Sequence, residues 1–195
     1  WLSGNAEFGY GEGDEATTNK WGADANNKYT TYYYRKTINV TDLANISSIV
    51  CNFLRDDGIV VYINGTLAFF NNFPEGTTQI TYSTYANTVG DVEETQWFTT
   101  SISKSLFIEG QNVIAVEIHQ CNVTSTDVSF NLALIAEKVR TPDSSFVTLI
   151  SKNDVWKYND EGVDLGTIWQ GITYDDSQWL SGNAEFGYGE GDEAT

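Results

Sequence analysis

The first seventeen residues of the chain recur letter for letter at its other end. Residues 1–17 read WLSGNAEFGYGEGDEAT and return at residues 179–195, an offset of 178 residues. No single-domain fold requires seventeen identities in seventeen positions. The simplest interpretation is a window cut from a tandem array, opened partway through one repeat and closed partway through the next.

The repeat also predicts where one domain ends and the next begins. Residues 139–145 (VRTPDSS) form a linker-like stretch with one proline and small polar residues, and strand patterns resume after it. We therefore expect residues 1–141 to form most of one repeat without its first strands. Residues 142–195 then supply the linker and the N-terminal strands of the next. An isolated chain completes its domain either by folding 142–178 back as a circular permutant or by borrowing that segment from a neighbouring chain, and the two copies compete for one site.

Charge and composition argue against several classes of protein. Four of the 27 acids lie in the second copy, so one period carries 23 acids and 10 bases. Such a chain does not suit nucleic acid, whose phosphates require Lys and Arg, or an anionic membrane. No apolar run approaches the roughly 20 residues of a membrane span. The 14% of aromatic residues argue against a disordered acidic tail, and abundant Thr, Val, Ile and Tyr favour an all-β class.

Alternating apolar residues predict short strands along most of the chain. The predicted strands are 32–40, 47–54, 58–63, 66–70, 78–83, 96–102, 112–119, 127–137, 146–150 and 155–158. Asn64-Gly65, between two of them, is the strongest two-residue hairpin signal. Residues 1–21, rich in glycine and acids, are expected to be loop. Short strands at this spacing indicate an all-β jelly roll or β-sandwich.

Five segments stand out as a collinear set within one repeat. They are YDDSQW at 174–179, GYGEGDE at 9–15, YYRK at 33–36, DDGIVVYING at 56–65 and NVIAVEIHQ at 112–120. Together they resemble galactose-binding-domain-like jelly-roll modules. The resemblance implies a jelly-roll/β-sandwich fold and a module tandemly repeated in giant secreted bacterial surface proteins. Members of that family bind sugars, bind Ca²⁺ structurally or only space other domains, so the function stays open here.

The acidic loop near the N-terminus is a candidate cation site. Glu12, Asp14 and Glu15 place hard carboxylates on a glycine-rich loop, and Ca²⁺ takes six to eight such oxygen ligands. The resemblance also implies a structural Ca²⁺ in some relatives. The alternative is a solvated acidic turn. Asp160 and Glu161 belong to a weaker acidic group.

Two tryptophans are candidates for carbohydrate binding. Trp21 and Trp97 offer ring faces that could stack on a sugar if they are exposed beside polar groups, although most aromatic side chains of such a fold pack in its core. The two cysteines, Cys51 and Cys121, form either a disulfide that closes a long loop or two free thiols. Both alternatives stay open.

The sequence contains little that suggests catalysis. His119 is the only histidine, and a hydrogen-bonded role for it is favoured over a metal site with Glu117 and Cys121. There is no G-x-S-x-G nucleophile motif and no phosphate-binding loop. We therefore do not expect an enzyme, and we expect no cofactor beyond a structural Ca²⁺.

These observations favour a structural repeat of a long extracellular filament or giant adhesin. The module would act as a rigid spacer in cell-surface attachment. Its partners would be adjacent repeats of the same chain and a homo-oligomeric fibre or bundle, with no nucleic acid and no membrane insertion. The alternative is a carbohydrate-binding module of a secreted multidomain hydrolase, with a surface glycan as its partner.

Overall fold

A computed structural model describes residues 2–11, 16–90, 93, 95–139 and 146–185 as an almost entirely β structure. The described residues form twelve strands: β1 (Leu2–Tyr10), β2 (Thr17–Thr18), β3 (Thr31–Val40), β4 (Ile46–Asp56), β5 (Gly58–Ile63), β6 (Thr66–Asn71), β7 (Phe98–Ile102), β8 (Gly110–His119), β9 (Val128–Lys138), β10 (Phe146–Ile150), β11 (Val155–Asn159) and β12 (Leu180–Glu185). Single turns of 3-10 helix lie at Leu43–Asn45, Lys104–Leu106 and Ile168–Gln170. In the part of the chain described, no helix has the length and hydropathy that a membrane span needs.

The strands form two layers that are joined through β1. One layer has the strand order β6-β5-β8-β3-β11. The other has the order β7-β4-β9, and β10 pairs with the edge of β9 that faces away from β4. The first half of β1 continues the first layer, where Leu2 lies opposite Tyr158 of β11. Its second half enters the other layer, where Phe8 lies opposite Phe130 of β9. This architecture confirms the predicted all-β jelly roll or β-sandwich.

An aromatic core fills the space between the layers. Tyr34 of β3 and Phe130 of β9 come from opposite layers, and their ring centroids lie 4.5 Å apart. Phe8 and Trp156 pack around this pair, at 5.0 Å from Tyr34 and 5.2 Å from Phe130. All four side chains are buried. Burying such large rings is the main source of stability in a core of this kind.

The expectation of a loop over residues 1–21 is wrong for residues 2–10 and 17–18, which form β1 and β2. Ala6, Phe8 and Tyr10 alternate along the strand and are fully buried. Residues 6–10 are in fact all buried, and burial of these three apolar side chains outweighs the low strand propensity of the glycine and the acid between them. The expectation of a strand at 78–83 is also wrong. That segment belongs to a turn in which the Thr84 amide donates to the Thr81 carbonyl at 2.8 Å.

The hairpin predicted at Asn64-Gly65 is confirmed. It joins β5 to β6, and both turn residues have positive φ, 52° at Asn64 and 81° at Gly65. A two-residue turn of the primed type requires this backbone conformation, which Asn and Gly adopt most readily. The other predicted strands agree with the observed ones to within two residues at each end.

The strands that follow the predicted linker complete the same sandwich as residues 16–139. β10 pairs antiparallel with β9, and β11 pairs with β3 through Asn159 opposite Tyr33. The linker residues 140–145 lie outside the described residues. The division of the chain into repeats at 141/142 therefore stays a prediction.

Candidate functional site

The loop between β2 and β3 holds a surface cavity beside Trp21. The cavity has a volume of about 450 Å³ and is lined by residues 18–23 and Tyr29. Trp21 is 38% exposed, so part of its ring is open to solvent. The cavity therefore presents an aromatic surface to any ligand that enters it.

Buried tyrosines fix the two aromatic rings of this cavity. The Trp21 ring packs against Tyr10 of β1 at 5.9 Å, and the Tyr29 ring packs against Tyr32 of β3 at 6.4 Å. Gly22 has φ +107°, and a Cβ at this position would lie 3.0 Å from the Tyr29 ring. Glycine is therefore required where the backbone turns over Tyr29.

Asn19 supplies a polar group to the wall of the cavity. Its Oδ1 accepts a hydrogen bond from the Tyr34 hydroxyl at 2.6 Å, which fixes the orientation of the amide. Its Nδ2 has no hydrogen-bond partner among the described residues, and the side chain is 2% exposed. Because this nitrogen is itself buried, it does not face the open part of the cavity, and Asn19 supports the wall through its hydrogen bond to Tyr34.

A charged group borders the cavity at Lys20. Its backbone amide donates to Asp160 Oδ2 at 3.0 Å, and its Nζ lies 3.2 Å from Glu161 Oε1 and 4.0 Å from Asp160 Oδ1. A smaller cavity of about 150 Å³ lies between these residues and Tyr158. Burial raises the pKa of Asp160, with a smaller opposing effect from the Lys20 amide. The charge of Asp160 in turn raises the pKa of Lys20.

The two predicted carbohydrate candidates do not form one site. Trp97 is absent from the lining of both cavities, and its ring is covered by Lys152, whose Nζ lies 3.6 Å from the ring centroid. A cation over a ring face makes a favourable contact, so this face of Trp97 already has a partner. Trp21 is the candidate that retains an exposed ring.

The predicted calcium residues Glu12, Asp14 and Glu15 lie outside the described residues. Among the residues that are described, no group of three or more His, Cys, Asp or Glu side chains is arranged to hold a metal ion. Calcium binding by the acidic loop therefore remains a prediction from the sequence.

The cysteines and the histidine have structural surroundings. Cys51 and Cys121 are free thiols, the first buried opposite Leu134 in the core and the second half-buried. Burial raises the pKa of both thiols. His119 is fully buried, with Nδ1 2.8 Å from the Thr84 carbonyl and Nε2 3.1 Å from Glu117 Oε2. This is the hydrogen-bonded arrangement that the sequence favours.

Sequence reasoning missed the polar half of the candidate site. Asn19 and Lys20 carry no motif, and Asp160 was singled out only as part of a weak acidic group. The pairing of β11 with β3 brings them together across the fold. The one local signal is the adjacency of Asn19 and Lys20 to Trp21, because polar residues beside an exposed aromatic are typical of ligand sites.

Comparisons with known proteins identify the fold. The sequence matches no family model and no curated protein. The α-L-rhamnosidase of Streptomyces avermitilis, solved with L-rhamnose, matches 97% of this chain with a TM-score of 0.58 and 16% identity. The α-L-rhamnosidase of Aspergillus terreus matches 93% with a TM-score of 0.55 and 15% identity. A Pleurotus ostreatus lectin, solved with GalNAc, matches 93% of this chain and 46% of its own with a TM-score of 0.49 and 15% identity.

The likeness to the rhamnosidases is one of fold alone. This chain spans 17% and 22% of the two rhamnosidase chains, so it corresponds to one part of each protein. The chain is an all-β jelly-roll or β-sandwich domain. This is consistent with the galactose-binding-like fold that the motif set implies.

Proposed function

We propose that this chain is a carbohydrate-binding module and that the cavity beside Trp21 is its binding site. The observation that carries the proposal is the half-open Trp21 ring in a cavity of about 450 Å³. Cavities of roughly 300–1,000 Å³ are typical of small-molecule sites. A sugar has apolar C–H faces and many hydroxyls, so it needs both a ring to stack on and polar partners. Trp21 supplies the first, and Lys20, whose side chain is 60% exposed, supplies the second.

The fold comparisons support this reading without extending it to an activity. A sandwich of this fold makes up about one fifth of the length of each of the two rhamnosidase chains, one of which was solved with L-rhamnose. That share suits an accessory module of a secreted multidomain hydrolase. We propose binding without catalysis, because Asp160 and Glu161, the two carboxylates that contact the lining residue Lys20, are engaged by its side chain.

Binding of the full chain to soluble polysaccharides tests the proposal. Affinity electrophoresis against a panel that includes rhamnose- and galactose-containing polymers is expected to give saturable retardation with at least one of them. Isothermal titration with the matching oligosaccharide then measures the affinity. An absence of saturable binding across the panel would reject the carbohydrate-binding function.

A second candidate function is structural, and the exact repeat favours it. The module would be a spacer in an extracellular filament or giant adhesin, with adjacent repeats as its partners. The strong negative charge would keep neighbouring modules apart in such an array. Reading the parent gene tests this candidate: further copies of the 178-residue period are expected, and a single copy would contradict it.

A further inference from the structure

β1 and β12 hold the same position in the sheet. β12 runs parallel to β1 with Leu180 at Leu2, which is the offset of the sequence repeat. Neighbouring strands in a sheet lie about 4.8 Å apart, yet a Cβ placed on Gly4 would fall on the Gly182 backbone. The two strands therefore do not lie side by side. They are alternative occupants of one position, and one molecule can seat only one of them at a time.

Both strands use the same backbone partner. The amide of Ala6 donates to the Asp154 carbonyl at 2.7 Å, and the amide of Ala184 donates to the same oxygen at 3.1 Å. Both alanine side chains are fully buried. β11 runs antiparallel to β1 and to β12, so the position accepts either strand with one polarity and one register.

The side-chain contact at this position is also shared. The Thr17 hydroxyl lies within hydrogen-bond distance of the Asn5 carbonyl, at 2.8 Å, and of the equivalent Asn183 carbonyl. Backbone pairing, register and side-chain contact are therefore the same for both occupants. Because residues 1–17 and 179–195 are identical, no side chain within these segments favours one over the other.

We propose that this position is a strand-acceptor site and that its partner is the LSGNAE strand of a second copy of this chain. The described part of the chain forms one such site and two strands that fit it, so one of these two strands is left over. The attached strands fill the site of their own chain first, because their effective concentration is high. The surplus strand is then a ligand for any site that stands empty, and it binds by strand addition. This inference does not depend on sugar binding.

A double-mutant cycle tests whether the two strands share one position. Ala6→Asp and Ala184→Asp each place an unpaired charge in a fully buried position, which is costly. We expect each single variant to keep the wild-type melting temperature, because the other copy fills the site. The double variant is expected to melt about 10 °C lower or more. Single variants that each lower the melting temperature, with effects that add in the double variant, would overturn the proposal.

A mixing experiment with intact 195-residue chains tests the partner. Wild type carries two competent strands and the double variant carries none, so a mixture has two sites and two strands. We expect a 1:1 complex by sedimentation velocity. The matched control mixes the double variant with the Ala184→Asp chain, which has no surplus strand, and is expected to stay monomeric. Equal complex formation in both mixtures, or none in either, would contradict strand donation.

A synthetic peptide covers the case in which the double variant does not fold alone. The peptide WLSGNAEFGYGEGDEAT is expected to bind that variant and to restore the circular dichroism of the native chain. The same peptide with Asp in place of its first alanine is the control and is expected to do neither. Equal effects of the two peptides, or no effect of either, would reject the acceptor site.

Discussion

Arg35 and Asp176 form an ion pair that fastens the loop before β12 to β3. Arg35 Nε lies 3.2 Å from Asp176 Oδ2, and the guanidinium also donates to the Gly171 carbonyl at 3.0 Å. The rings of Tyr174 and Trp179 lie 5.4 and 5.9 Å from its central carbon. The YYRK and YDDSQW segments, which carry part of the family resemblance, therefore contact each other. Their role in this chain is to hold the fold together.

Replacing Arg35 is expected to destabilise the fold strongly. Arg35→Ala leaves the Gly171 carbonyl and the Asp176 carboxylate without their partner in a region where Arg35 itself is 2% exposed. Loss of one member of a buried pair costs about 3–5 kcal/mol, and we expect the lower end because Lys157 also contacts Asp176 at 2.9 Å. Chemical denaturation measures the change. Arg35→Lys keeps the charge without the planar guanidinium, so its free energy of unfolding should lie between those of wild type and Arg35→Ala. Ordinary surface substitutions change stability by less than about 0.5 kcal/mol. A loss below that value in Arg35→Ala would contradict this role.

Trp21→Ala is expected to abolish most glycan binding. Removing the exposed ring takes away the stacking surface of the cavity, and we expect a loss of affinity of about tenfold or more, or ~1.4 kcal/mol. Isothermal titration with the oligosaccharide identified by the polysaccharide panel measures it. Trp97→Ala is the matched control, because it removes the same side chain from a position outside the cavity. Equal losses in the two variants would reject Trp21 as the binding residue.

Asp160→Asn is expected to change how stability depends on pH. Burial raises the pKa of Asp160, so the folded chain holds this proton more tightly than the unfolded chain does. The penalty for ionisation is absent below the unfolded pKa, near pH 4, and is complete above the folded pKa. The wild type should therefore lose stability relative to Asp160→Asn as the pH rises through this window.

Denaturation between pH 3 and pH 8 measures this difference. Glu161→Gln is the matched control, because the Glu161 side chain is 60% exposed and its pair with Lys20 lies at the surface. If the stability of wild type relative to Asp160→Asn stays constant with pH, or rises as the pH rises, the assignment is contradicted.

Calcium is expected to raise the melting temperature if the acidic loop binds it. A ligand present at 100 times its dissociation constant stabilises the native state by about 2.7 kcal/mol, which corresponds to roughly 5–10 °C for a chain of this size. A variant with Glu12→Gln, Asp14→Asn and Glu15→Gln, made in both copies of the repeat, is expected to lose the response. If the melting temperature of the wild-type chain is the same with calcium and with chelator, calcium binding is contradicted and the alternative of a solvated acidic turn is favoured.

Alternation along the strands made much of the sandwich predictable from the sequence. β9 shows it most clearly, since Val128, Phe130, Leu132 and Leu134 are all buried. β1 was missed because glycines at positions 4 and 9 and an acid at 7 interrupt its pattern. Only its place across both layers reveals why Ala6, Phe8 and Tyr10 are buried.

The candidate site was predictable only in part. Trp21 is recognisable as an aromatic in a polar loop. The contact of Lys20 with Asp160 depends on strands that are distant in sequence, and no local spacing encodes it. Exposure also separates Trp21 from Trp97, and exposure is a property of the packed fold rather than of the residue type.

The passage of β1 from one layer to the other has a mechanical consequence. Leu2 is paired in the first layer and Phe8 in the second, so a pull along this strand loads hydrogen bonds of both layers together. Bonds loaded in parallel yield at a higher force than bonds broken one after another. Modules joined in series through such strands would each unfold cooperatively under tension.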